Sequence, residues 1–246
     1  MLSDELPRRA PWDDFPDVVI CASESAVKRH PDYAQAKQGN VQDAAPSAKR
    51  LAASNVTSHA LNAIKQLPIQ DALLVPVHAL EGQGFNRIPA AFAELLAEEL
   101  GLGIETGLIQ VNVVNHTGAS GWLRLASPPL FEGDIVQGRR YLLVDDFVSQ
   151  GGTLANLRGY IIHGGGQVAG AVCLTGRGDS SKLRLDRRTL EALRHKHGPE
   201  IEDWWLKSCG YDFSCLTESE ARYLLRVEDA DTIRARLAEA RLEGHD

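Results

Sequence analysis

The sequence predicts an α/β fold with a central, mostly parallel sheet flanked by helices. Two observations carry this prediction. Apolar runs without polar alternation, typical of strands buried on both faces, occur in the middle of the chain. Segments with apolar residues at helical spacing separate these runs, and parallel strands need such crossover connections. The composition, with 43% hydrophobic and 24% charged residues, is that of an ordinary globular protein.

The core elements follow in order within the middle of the chain. The strands are predicted at Asp71–Val77, Leu108–Val114, Arg140–Asp146 and Gln167–Gly176, and the helices at Ile88–Gly101 and Thr153–Gly165. Pro89 in the first turn and Gly101 at the stop mark both ends of the first helix. A long connection, residues 116 to 139, carries Gly, Ser and Pro-Pro, and connections of this length are usually functional.

Three zones divide the chain. Residues 1 to 68, rich in Ala, Ser, Asn, Asp and Pro, form an N-terminal extension or hood with one strand-like run at Asp17–Ser23. Residues 69 to 180 form the core. Residues 181 to 246 form a C-terminal helical cap, in which Thr217 and Glu220 have the spacing of a capping box.

Charge and cysteine content narrow the classes of function. The net charge of −7 argues against nucleic-acid binding through overall charge. The N-terminus has no apolar core of a signal peptide, and the apolar runs are too short to span a membrane. Four scattered cysteines without a C-x-x-C pair are typical of free thiols. We therefore expect a cytoplasmic protein without a membrane or nucleic-acid partner.

Two adjacent carboxylates, Asp145 and Asp146, end the third predicted strand. Ligands of open parallel sheets bind at the carboxyl ends of strands. The turn that follows, Ser149 to Thr153, offers two hydroxyls, two glycines and the N-terminus of a helix, which together suit a phosphate. The carboxylates suit vicinal sugar hydroxyls or a divalent cation. The sequence therefore predicts a site for a phosphorylated sugar with Mg²⁺, and solvated acids before an ordinary turn are the alternative.

The stretch LLVDDFVSQGGTL, residues 142 to 154, resembles the ribose-5-phosphate loop of type I phosphoribosyltransferases. The resemblance covers residues 69 to 176 and implies the fold of that family. It also implies phosphoribosyl pyrophosphate as donor, with Asp145 and Asp146 on the ribose hydroxyls and on Mg²⁺. The 5′-phosphate would lie on Ser149, Gln150, Gly151, Gly152 and Thr153. The acceptor would be a small molecule with a nucleophilic nitrogen, by analogy a nucleobase, and a homodimer remains open.

The resemblance also implies a pyrophosphate turn and a mobile loop. The turn would be residues 78 to 89, where Glu81, Gly82 and Arg87 are candidates for binding the diphosphate or its metal. The loop would be the connection 116 to 139, with His116 on the pyrophosphate and Arg124 as the cation that stabilises the leaving group. The alternative for the turn is an ordinary glycine-containing connection. The alternative for the loop is a segment that only excludes water.

Two departures from the family pattern separate this chain from particular relatives. Gln150 stands where the family often has Thr, and Ser149 stands where 6-oxopurine enzymes carry an aspartate base. Two further functions stay open: a non-catalytic sensor of phosphoribosyl pyrophosphate or of a nucleotide, and a relative of the donor-synthesising diphosphokinases, whose chains are longer. A serine hydrolase is not supported, because no histidine and acid accompany Ser149 at recognisable spacing.

Overall fold

The computed structural model describes residues 6–38, 41–77, 80–81, 84–112 and 120–243. Its strands are β1 (Val19–Ser23), β2 (Leu73–Pro76), β3 (Leu80–Glu81), β4 (Gly84–Phe85), β5 (Gly103–Ile104), β6 (Ile109–Gln110), β7 (Phe131–Glu132), β8 (Arg140–Val148) and β9 (Gln167–Gly176). Its helices are α1 (Glu24–Lys28), α2 (Tyr33–Gln38), α3 (Val41–Asn55), α4 (Ser58–Ile64), α5 (Ile88–Leu100), α6 (Gly121–Ala126), α7 (Gly152–His163), α8 (Arg187–His197), α9 (Pro199–Cys209), α10 (Glu218–Leu225) and α11 (Ala230–Glu243), with a 3₁₀ turn at Phe213–Cys215.

A five-stranded parallel sheet is the centre of the molecule. Its order is β1-β9-β8-β2-β5, and every pairing is parallel. The apolar residues of β8 alternate between two cores, as the pleat of a strand requires. Leu142 and Val144 pack with α3, α4 and α5 on one face, and Tyr141 and Leu143 pack with α7 on the other. The predicted fold class, a parallel sheet flanked by helices with helical additions at both ends, is confirmed.

Strand β1 is the edge strand next to β9, although it lies in the zone 1 to 68. The N-terminal zone therefore contributes to the central sheet itself. The division of the chain at residues 68 and 180 stays a prediction.

The prediction of a core strand over Leu108–Val114 is wrong. Only Ile109–Gln110 is extended among the described residues there, and it pairs antiparallel with β7 outside the main sheet. The strand beside β2 is Gly103–Ile104 instead. Asn112 follows β6, and its side chain accepts from Leu130 N and donates to Pro128 O. Residues 113 and 114 lie outside the described residues.

The C-terminal cap has a core of its own. Helices α8 to α11 and the 3₁₀ turn enclose a cluster around the fully buried Trp205 and Phe213. The capping box at the start of α10 is confirmed, since Glu220 N donates to Thr217 Oγ1 and Thr217 N donates to Glu220 Oε2. Leu125 of α6 belongs to the same cluster, and Trp122 contacts the Tyr223 ring edge-on at 5.2 Å. A helix from the 116 to 139 connection is thereby docked on the cap.

An N-terminal segment, residues 6 to 15, ties the cap to α7. The Arg9 guanidinium donates to both Glu220 carboxylate oxygens and to Asn156 Oδ1 of α7. Trp12 Nε1 donates to Leu216 O, and Arg158 of α7 donates to Ala10 O and Pro11 O. The segment passes so close to α7 that a Cβ on Gly159 would lie 1.9 Å from Arg8 O.

None of the helices within the described ranges is long and apolar enough to cross a membrane. The thiols of Cys21, Cys173, Cys209 and Cys215 are free and buried, as predicted.

Candidate active site

Asp145 and Asp146 lie near the carboxyl end of β8, and both are buried. The strand continues to Val148, two residues further than predicted, because Phe147 and Val148 still pair with β9. Asp146 Oδ2 accepts from Lys37 Nζ at 2.7 Å and from Asn86 Nδ2 at 2.9 Å. Asp146 N donates to Asp145 Oδ1 at 2.8 Å. The two carboxylates therefore form one site with groups from α2 and from the start of α5.

The two carboxyl groups have opposite pKa shifts. Burial, and next the charge of Asp146, raise the pKa of Asp145 well above its usual range. Burial alone would raise the pKa of Asp146 as well, but Lys37 and Asn86 outweigh it and lower that pKa. The opposite shifts favour the proton on Asp145 and the negative charge on Asp146, beside Lys37.

The predicted phosphate turn connects β8 to α7. Gly151 is the N-cap of α7, with φ of 80°, and Gly152 and Thr153 are the first two helical residues. The first helical hydrogen bond of α7 runs from Ala155 N to Gly151 O, so the amides before Ala155 face the turn. Gln150 Oε1 is buried and has no partner among the described residues. This arrangement of backbone N–H groups at a helix start suits an anion.

Arg124 reaches this turn from α6. Its Nη1 donates to Ser149 Oγ at 2.8 Å. Burial, and next the charge of Arg177, lower the pKa of the Arg124 guanidinium. Arg177 follows β9, and its backbone N donates to Val148 O at the end of β8. Two cations therefore lie near the predicted phosphate turn, an arrangement that favours an anion there.

The predicted pyrophosphate side is described in part. Glu81 ends the short strand β3, which pairs with β4, and its side chain lies outside the described residues, as do Gly82 and His116. Arg87 is the N-cap of α5, which begins at Ile88 as predicted, and the Arg87 backbone N donates to Ala36 O of α2. Asn86 Oδ1 accepts from Ile88 N and so caps the same helix. Helix α2 and the start of α5 are thus joined beside Asp146.

Asp145 and Asp146 are the carboxylates that the described part of the site offers to Mg²⁺. Mg²⁺ takes one or two carboxylates and completes its shell with substrate phosphates and water. No group of three or more His, Cys, Asp and Glu side chains suited to a metal occurs in the described parts of the chain. Lys37 already binds Asp146 Oδ2. Within the described residues, the two carboxylates therefore suit a metal that completes its shell with water or with a bound ligand.

Two polar groups of the site, Lys37 and Asn86, were not anticipated from the sequence. The position of Asn86 could have been predicted, because asparagine often caps helices and Asn86 stands just before the helix predicted from Ile88, with Pro89 in its first turn. The position of Lys37 could not, since it lies in a short polar helix of the N-terminal zone, 109 residues from its partner.

Comparison with known proteins gives relatives whose functions are unnamed. No model of a known protein family matches this chain. The chain is 38% identical over 244 residues to Protein TraN of Escherichia coli. The aligned region covers 99% of this chain and 54% of that protein. The chain is 42% identical over 156 residues to an uncharacterized protein of Haemophilus influenzae, which covers 63% of this chain and 34% of that protein. The chain therefore spans about half the length of the first relative and about a third of the second.

Two solved structures, of an adenine phosphoribosyltransferase and of a UMP synthase, are similar to parts of this chain. Adenine phosphoribosyltransferase from Thermoanaerobacter pseudethanolicus superimposes with a TM-score of 0.33 and 14% identity, over 55% of this chain and 82% of that chain. UMP synthase of Leishmania donovani superimposes with a TM-score of 0.32 and 16% identity, over 81% of this chain and 34% of that chain.

Proposed function

We propose that this chain is a Mg²⁺-dependent phosphoribosyltransferase of the cytoplasm, with phosphoribosyl pyrophosphate as donor and a nitrogen nucleophile as acceptor. The acceptor is a small molecule, in this proposal a nucleobase. Asp145 and Asp146 accept hydrogen bonds from the ribose hydroxyls. The turn from Ser149 to Thr153 binds the 5′-phosphate. The metal neutralises charge on the donor's diphosphate when bound.

One observation carries the proposal: the buried carboxylate pair and the phosphate turn are two parts of one strand–turn–helix unit. Asp146 lies two residues before the end of β8, and Gly151, the N-cap of α7, lies three residues after that end. A sugar phosphate has its hydroxyls and its phosphate a few ångströms apart, so one ligand can use both parts. Arg124 supports the interpretation of the turn as an anion site, because its guanidinium bonds to Ser149 within the turn.

The reaction proposed at this site is a substitution at C1 of the ribose. The bond between C1 and the diphosphate oxygen breaks, and its electron pair stays on that oxygen, which leaves as part of pyrophosphate. The lone pair of the acceptor nitrogen forms the new bond to C1 on the opposite face, and that nitrogen then releases a proton to solvent. The chain's own residues act by positioning the hydroxyls and the phosphate and by stabilising charge.

A second candidate function, sensing of the same donor or of a nucleotide without catalysis, is favoured by the position of Arg124. The family resemblance places this cation at the leaving pyrophosphate. Here its side chain bonds to Ser149, on the 5′-phosphate turn. A sensor needs a closed phosphate site but no cation on the leaving group.

The test is calorimetric titration of phosphoribosyl pyrophosphate with Mg²⁺, followed by assay of pyrophosphate release across a panel of nucleobases. We expect donor binding and release with at least one base. Binding without release for any base supports the sensor. Absence of binding at millimolar donor contradicts both functions.

A variant pair assigns the binding to the carboxylates. Asp145→Asn with Asp146→Asn should abolish donor binding and retain the fold. The matched control is Asp13→Asn with Asp14→Asn, the other adjacent aspartate pair of the chain, which is exposed. This control should bind the donor as the wild type does, and equal binding by both double variants would contradict the assigned role.

A further inference from the structure

Helix α10 of the C-terminal cap lies directly behind the phosphate turn. Its N-cap, Thr217, is fully buried. The Thr217 hydroxyl donates to Gln150 O at 2.6 Å and accepts from Glu220 N at 3.1 Å. A threonine hydroxyl has one donor and two acceptor positions, so it makes both bonds at once. One side chain thereby caps α10 and holds a backbone carbonyl of the turn.

The bond to Gln150 O fixes the direction of an amide of the turn. The peptide between Gln150 and Gly151 is planar and trans, so its carbonyl and its N–H point in opposite directions. With the carbonyl bound to Thr217, the Gly151 N–H points away from the cap. Gly151 has φ of 80°, and a Cβ there would lie 2.2 Å from Leu183 Cδ2. The cap therefore sets both the direction of this amide and the space around it.

The cap also places a carboxylate beside the anion site, and the structure neutralises it. Glu220 Oε1 lies 2.8 Å from where a Cβ on Gly152 would be. A carboxylate so close to a bound phosphate would repel it. Arg9 donates to both oxygens of Glu220, at 2.5 and 2.9 Å, and both side chains are almost fully buried. The charge that α10 brings to the turn is thus balanced within the protein.

We propose that Thr217 is a positioning residue of the phosphate site, which orients the Gly151 amide through Gln150 O. This inference rests on the proposed function, in which the turn binds the 5′-phosphate. It gives the C-terminal cap a role in ligand binding through the backbone of the turn.

The experiment compares two N-cap threonines of the chain. Thr57 caps α4, and its Oγ1 accepts from Ala60 N at 3.2 Å, as Thr217 Oγ1 accepts from Glu220 N. Thr57→Val and Thr217→Val each remove one cap, but only Thr217→Val removes the bond to the turn. We expect Thr217→Val to weaken binding of inorganic phosphate and of the donor about ten-fold, the effect of one hydrogen bond. Thr57→Val should bind both ligands as the wild type does.

Thr217→Ser keeps the hydroxyl and should restore binding to within about two-fold. In the transferase assay the loss in Thr217→Val should appear in the KM of the donor, with the KM of the acceptor unchanged. Equal binding by Thr217→Val and Thr57→Val overturns the inference, as does a ten-fold loss in Thr217→Ser. The serine variant decides the matter if the valine variant does not fold. If the wild type binds neither inorganic phosphate nor the donor, the proposed function fails. If the wild type binds both and the variants do not differ as expected, the positioning role alone fails.

Discussion

Lys37 and Asp146 are 109 residues apart in the sequence, yet the Lys37 ammonium donates a 2.7 Å hydrogen bond to Asp146 Oδ2. Their side chains are only 14% and 12% exposed. A helix of the N-terminal zone therefore completes the carboxylate site of the core. This contact leads to the first of four predictions.

Lys37→Gln should destabilise the protein at neutral pH, because it leaves the Asp146 carboxylate buried without its cation. We expect a loss of about 3 kcal/mol, the low end for breaking a buried pair. The pair lowers the pKa of Asp146 in the fold, so its contribution is present at neutral pH and is lost as the pH falls through that lowered pKa. Urea unfolding at pH 7 and at pH 3.5 checks both statements. The free energies of unfolding of variant and wild type should differ less at pH 3.5 than at pH 7.

Lys49→Gln is the matched control for this prediction. Lys49 forms an ion pair of the same length with Glu94, but that pair is exposed to solvent. Solvent screens such pairs, so its loss should change the unfolding midpoint little. Equal midpoints for Lys37→Gln and Lys49→Gln at pH 7 would contradict a stabilising role for the buried pair.

Arg9→Met should destabilise the protein strongly, since the buried Glu220 carboxylate then keeps its charge without its cation. Removing one member of a buried pair costs about 3–5 kcal/mol. Adding Glu220→Gln removes the stranded charge and leaves a residue that still completes a capping box. The double variant should therefore be more stable than Arg9→Met alone, as measured by chemical unfolding. A double variant less stable than Arg9→Met would show that the charge of Glu220 is not the cause.

Gly159→Ala should release the N-terminal segment, residues 6 to 15, from α7. The new Cβ would lie 1.9 Å from Arg8 O, and a backbone atom cannot move aside as a flexible side chain can. We expect faster proteolysis near Arg8 and Arg9 and a lower melting temperature. Gly178→Ala is the control, because a Cβ at Gly178 meets nothing within 4 Å. Equal cleavage rates in the two variants would contradict the close packing of the segment.

His197 should make the stability of the cap depend on pH. Burial lowers the pKa of its imidazole, and its Nε2 lies 3.2 Å from Leu224 O. As the pH falls below about 6.5, the unfolded chain takes up a proton that the folded chain does not, so stability decreases until the lowered pKa is reached. Melting temperatures from pH 7.5 to 5 should fall, and His197→Gln should reduce this slope. An unchanged slope in the variant would assign the dependence to other groups.

The sequence was informative where local patterns decide the structure. Strand Gln167–Gly176 is where it was predicted, because a continuous apolar run has few alternatives inside a parallel sheet. Helix α5 starts and ends as Pro89 and the left-handed Gly101 indicate. The position of Asp145 and Asp146 at the carboxyl end of a central strand was predictable for the same reason.

Contacts between distant parts of the chain were beyond prediction. A periodicity of apolar residues says which face of a helix is buried, but not which element it packs against. The bonds from Lys37 to Asp146 and from Thr217 to Gln150 O depend on that choice of neighbours. The core strand predicted over Leu108–Val114 is wrong for a related reason, because an apolar run does not specify that Ile109–Gln110 pairs with β7 outside the main sheet.

The pairing of strand β1 with β9, and of Arg9 with Glu220, has a consequence for the order of folding. Both elements are synthesised well before their partners: β1 can pair only after β9 has been made, and Arg9 only after Glu220 has been made. Contacts of such long sequence separation slow folding, because loop closure comes before any gain from contact. During synthesis β1 therefore waits as an unpaired strand and Arg9 as a guanidinium without its carboxylate, and the turn from Ser149 to Thr153 gains its bond from Thr217 only after the start of α10 has been made.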